Sequence, residues 1–165
     1  MAVVSDTSPI SYLVLIGEID ALHVLYGEVL VPPAVAGELS HPDGPGPTRQ
    51  WIEAPPEWLR VEGVPGEVAR EGGPGPESTL WSLDPGEREA IRLAERTGAK
   101  ALLIDERDGR QVAKQRGVPV TGTLGVLDEA ASEGLVDAQH VADRLRETSF
   151  RAPEELYQWL LSRHE

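Results

Sequence analysis

The chain has 165 residues, a formal net charge of −13, 40% hydrophobic residues and no cysteine. That length and apolar content suit a single domain with a core and exclude a disordered chain; the absent thiols exclude disulfide scaffolds, thiolate zinc sites, iron–sulfur clusters and thiol nucleophiles, so any metal must be held by oxygen or histidine. The surplus of acid excludes a protein that coats nucleic acid through its general surface.

The opening Ala2-Val3-Val4-Ser5-Asp6 predicts a short buried strand ending in an acid, and Thr7-Ser8-Pro9 then starts a helix through Ile16. The run Leu13–Ile16 is too short to span a bilayer and no Lys or Arg precedes Arg49, so a cytoplasmic chain without a signal peptide is expected. A helix over 19–25 leads to the strand Val29-Leu30-Val31, and Pro32-Pro33 opens the next helix, through Leu39.

From about 40 to 79 the chain makes a Gly/Pro-rich excursion: residues 41–79 hold seven Gly and eight Pro, which excludes long helices and central strands. Trp51, Trp58 and Trp81 argue that it is anchored, with a short strand at Trp58–Val61. Order returns at Asp84-Pro85-Gly86-Glu87, a capping box in which Asp84 is the cap and Glu87 its structural partner. The helix carries Ala90, Ile91 and Ala94 on one face and stops at Gly98. A strand over 101–104 ends at Asp105, a charged helix covers 106–116, and the strand Val118-Pro119-Val120 precedes a helix from Thr123. Two further C-terminal helices occupy about 136–163.

Alternation of strand and helix predicts an α/β fold with a mainly parallel sheet and helices on both faces, and the crevice beyond its strand ends receives Asp6, Asp105 and Thr121. Glu38 ends the helix after the second strand, and Glu89 lies one turn into the helix before Asp105. Carboxylates converging in one crevice repel unless a cation joins them, and hard oxygen donors suit Mg²⁺ or Mn²⁺. Segment 88–116 carries eight of the fifteen bases and is locally +3, so Arg88, Arg92, Arg107 and Arg110 are candidate phosphate contacts. The four histidines lack ligand spacing.

Asp6-Thr7-Ser8-Pro9, Pro32–Leu39, Gly86–Ile91, Leu103-Ile104-Asp105 and Val120–Leu127 together resemble the ordered motifs of PIN-domain proteins, most closely the prokaryotic VapC-like toxin branch. The resemblance runs from Val3 to about Gly134. It implies a PIN-like three-layer fold and a metal-dependent ribonuclease acting on single-stranded RNA, often the toxin partnered by a small antitoxin protein. Carried over by position, the catalytic acids are Asp6, Glu38, Glu89 and Asp105. Mg²⁺ or Mn²⁺ would be held by Asp6, Glu89 and Asp105 with Asp108 as supplement, and Thr7, Thr121 and Thr123 would neighbour the substrate. A homodimer is expected through Leu156, Trp159 and Leu160 of the last helix. The alternative reading is a catalytically weak PIN-like module kept for protein binding.

Overall fold

The computed structural model describes residues 2–64 and 80–165. Five strands, β1 (Val3–Ser5), β2 (Val29–Val31), β3 (Leu59–Val61), β4 (Leu102–Leu103) and β5 (Val120–Thr121), pair in the order β3-β2-β1-β4-β5, every pair parallel. Parallel strands need crossovers, and helices supply them: α1 (Thr7–Leu15), α2 (Ala21–Tyr26), α3 (Pro33–Leu39), α4 (Gly46–Glu53), α5 (Pro85–Thr97) and α6 (Arg107–Gln115). Three more, α7 (Thr123–Ser132), α8 (Ala138–Arg146) and α9 (Glu154–Ser162), follow the last strand.

The pleat sorts the strand residues into two cores. Val3, Val29, Val31 and Leu103 face one cluster, built with α1, α2, α3, α7, α8 and α9. Val4, Leu30, Leu102 and Ile104 face the other, completed by Leu83, Ala90, Ile91 and Ala94 near or on α5 and by Val112 and Ala113 on α6. Successive side chains of a strand point to opposite faces, so short all-apolar strands feed two layers of helices at once. The three layers predicted from the alternation are present.

The excursion is anchored where its aromatic residues fall. Trp51, Ile52 and Trp58 pack against the first core, α4 occupies Gly46–Glu53, and β3 is an edge strand, where the loss of ladder bonds costs least. The remainder of the excursion, 65–79, lies outside the described residues. On α9, Tyr157 and Leu160 point inward and are buried, whereas Leu156 and Trp159 are exposed. Leu160 therefore cannot serve the expected dimer face: three-residue spacing puts it on the inner stripe with Tyr157.

Candidate active site at the carboxyl edge of the sheet

β1 and β4 are central neighbours, with Val4 opposite Leu102 and Ser5 opposite Leu103. The Asp6 N–H donates to the Leu103 carbonyl at 2.8 Å, which holds the first acid at the strand end. Its side chain continues the pleat of Val4, toward the layer that contains α5. Asp105, of the opposite parity, continues that of Leu103 and meets α7. The alternation that builds the two cores thus also divides the two strand-end acids.

Asp6 is 6% exposed and is ringed by acids. Burial pushes its carboxyl up to about 7; the Thr7 N–H opposes that shift, and the charges of Glu87, Glu38 and Asp84 reinforce it. Glu38 reaches the cluster from the last turn of α3, where Thr7 Oγ1 donates to its Oε1 at 2.7 Å. Burial raises its pKa, the Thr7 bond opposes this, and Asp84 and Glu89 add to it. Gly86 makes the approach of α5 to Glu38 feasible, since a Cβ there would collide with the Glu38 carboxylate.

Glu87 enters from the first turn of α5. Its N–H donates to Asp84 Oδ1 at 2.9 Å, so the predicted cap is formed. Glu87 is also buried, and burial, followed by the Asp84 charge, pushes its carboxyl up to about 7, with Glu106 and Glu38 contributing. Among the acids acting on Asp6 it ranks above Glu38. Glu89, by contrast, turns toward α3, where its Oε1 accepts the Ala34 N–H at 3.2 Å. The charges of Glu87, Glu38 and Asp84 act on Asp6, and those of Asp84 and Glu89 act on Glu38. The sequence held a signal for this: Glu87 shares the helix face of Ala90, Ile91 and Ala94, all buried.

Asp105 is held differently. Thr123 N–H donates to its Oδ1 at 2.7 Å and Thr123 Oγ1 to its Oδ2 at 2.6 Å, an N-terminal anchor of α7. Burial raises its pKa, while both Thr123 bonds and the Arg110 charge pull it back. Arg110 donates to the Ile104 carbonyl at 2.9 Å. Asp108 is exposed in the first turn of α6, and Arg107 is exposed beside it. Thr121 gives its carbonyl to the Ile104 N–H at 2.9 Å and lays its methyl toward Gly125.

Of the candidate phosphate contacts, Arg110 alone stands against a site acid. Arg88 lies 4.2 Å from the Trp81 ring and donates to the Leu83 carbonyl at 3.2 Å. Arg92 lines a surface hollow with Glu95, Arg96 and Arg116.

Among the described residues no three Asp, Glu, His or Cys side chains are gathered at metal-holding distance. The donors present are carboxylate oxygens, the type a hard divalent cation takes. Asp6 is a buried carboxylate under the charges of Glu87, Glu38 and Asp84, and such a group is costly unless a cation or a proton compensates it.

A family model described as PIN domain matches residues 2–165 of the chain. No curated protein and no solved structure matches it.

Proposed function

The chain belongs to the PIN-domain family, a family of nucleases, and from that premise we propose that it is a ribonuclease that hydrolyses single-stranded RNA with Mg²⁺ or Mn²⁺. The observation that carries the reading is the buried Asp6 carboxylate, on which the charges of Glu87, Glu38 and Asp84 act. Asp6, Glu38 and Glu87 would hold the cation, with Asp105 at the adjacent strand end; Glu87 takes the place first given to Glu89, and Asp108 remains the outer supplement. When bound, the cation supplies charge neutralisation at the phosphate and a water acidified toward neutral pH.

The chain's own residues do the rest. Thr7 fixes the Glu38 carboxylate through its 2.7 Å bond, so that this side chain faces the crevice. Glu87, pushed up to about 7, is suited to take a proton from an attacking water near neutral pH, and burial raises Glu38 in the same direction. Thr123 locks the orientation of Asp105, and Arg110 beside it offers a charge to a flanking phosphate.

The test is cleavage of a labelled single-stranded RNA with Mn²⁺ and with excess EDTA, by the wild type and Asp6→Asn. Cleavage confined to wild type with metal is expected. Cleavage that survives EDTA or Asp6→Asn would overturn the reading. One observation favours the protein-binding alternative: both oxygens of Asp105 are already taken by Thr123. A wild type that does not bind Mn²⁺ in calorimetry would select it. The toxin role draws its support from the motif resemblance, and growth arrest on expression, relieved by a small neighbouring gene, checks it.

A further inference from the structure

A cleft of about 680 Å³ opens beside Asp105, walled by Arg110 and Gly122 on one side and by Phe150, Arg151 and Trp159 on the other. Building on the nuclease reading, we propose that it is a base-stacking subsite for the RNA strand, in which Trp159 takes a nucleobase while Arg110 and Arg151 take the phosphates on either side.

Four observations carry this. The cleft is continuous with the catalytic edge, because Asp105, Arg110 and Gly122 belong to both. Trp159 is 41% exposed on a helix whose inner stripe, Tyr157 and Leu160, is buried, so the ring is available at the cleft. The ring is also positioned: the Arg163 guanidinium lies 5.2 Å from its centroid, and Arg163 is fixed by Asp128 at 2.7 Å, with His164 on the same carboxylate oxygen at 2.8 Å. The lining is closely packed at its glycines, since a Cβ on Gly122 would meet Asp105 Oδ1 at 2.9 Å and Arg110 Nη1 at 3.0 Å, and one on Gly125 would meet Thr121 at 2.8 Å.

The charge pattern favours a nucleic acid strand over an apolar partner. Two guanidiniums, Arg110 and Arg151, line the cleft together with the Trp159 ring, and cationic groups beside a stacking surface suit a single strand. Of the acids in the wall, Asp105 has the Arg110 charge beside it, Asp128 is paired with Arg163 and His164, and Glu129 accepts the Tyr26 hydroxyl at 2.8 Å while keeping its charge.

The experiment uses a fluorescein-labelled, uncleavable 2′-O-methyl oligonucleotide, an abasic strand of equal charge, and fluorescence anisotropy. Trp159→Ala should weaken oligonucleotide binding about five- to a hundredfold, Trp159→Phe should retain most of it, and the abasic strand should bind weakly with no dependence on residue 159. Arg151→Ala should lower the salt slope by about one, while Trp58→Ala, outside the cleft, should change nothing. Equal affinity of wild type and Trp159→Ala for the oligonucleotide would overturn the proposal, as would equal loss for the abasic strand. So would a dimer by light scattering that Trp159→Ala dissolves with oligonucleotide binding intact, because the cleft would then hold a second copy. RNA cut by wild type and Trp159→Ala with one KM sinks the subsite alone, whereas a wild type that neither binds nor cuts RNA sinks the nuclease reading with it.

Discussion

Asp6 is under two opposing demands, since burial favours its neutral form and a cation requires its charged one. Asp6 and Glu87 are both pushed up to about 7 in the fold, whereas in the unfolded chain such groups titrate near about 4. Between those values the folded state holds protons that the unfolded state has released. Their stabilising contribution is therefore complete below about pH 4 and is lost as the pH climbs through about 7. The melting temperature of the metal-free wild type is expected to fall between about pH 5 and about pH 8, with a shallower fall in Asp6→Asn. At the upper pH in EDTA, Asp6→Asn should be the more stable protein by about 1–3 kcal/mol, and with Mn²⁺ restored it should still cut no RNA; a less stable variant would show that the charge is already compensated. The two glutamates separate by kinetics. Glu87→Gln should lower kcat/KM at least about a hundredfold, and Glu89→Gln, whose amide oxygen still accepts the Ala34 N–H, should change stability by less than about 1 kcal/mol and cost little activity.

At the scale of elements, helix starts decide where the acids point. The first turn of α5 carries the cap at Asp84, the close approach at Gly86 and the inward carboxylate of Glu87. Gly86→Ala should drive the flexible end of Glu38 out of the cluster, lowering Mn²⁺ affinity about tenfold or more in calorimetry with little change in melting. Unchanged affinity would remove Glu38 from the donor set. Much of this geometry was legible in the sequence: Asp6 and Asp105 at strand ends, Glu38 at the close of a helix, and the Asp84 cap all lie where the pattern put them. Glu87 was given only the role of capping partner, although its i+3, i+4 and i+7 neighbours are core residues, and its burial is what leads us to propose it in place of Glu89. The separation of Asp6 from Asp105 was legible only once the register was known, because facing is set by which residue of β4 stands opposite Ser5. Trp159 and Leu160 looked alike as apolar residues, and only packing against α7 and α8 sorts them into an exposed ring and a buried anchor.

For the molecule as a whole, a ligand confined to the folded state stabilises it by RT ln(1 + [L]/Kd), about 2.7 kcal/mol at a hundred times Kd. Millimolar Mn²⁺ should raise the wild-type melting temperature by several degrees and that of Asp6→Asn scarcely at all, and equal shifts would count against the site. The two-core architecture adds a consequence. Asp6 and Glu87 belong to the layer of α5 and α6, while Asp105 is tied by Thr123 to the layer of α7, so the crevice lies where two cores meet at the sheet edge, with α3 packed on α5 between them. Local opening follows cooperative units rather than the whole chain, so the two layers are expected to open separately. A cation drawing ligands from both sides would couple these motions. Hydrogen exchange would register this as slower amide exchange at the starts of α5 and α7 together on adding Mn²⁺, and the two helices would again exchange independently once Asp6 is neutralised.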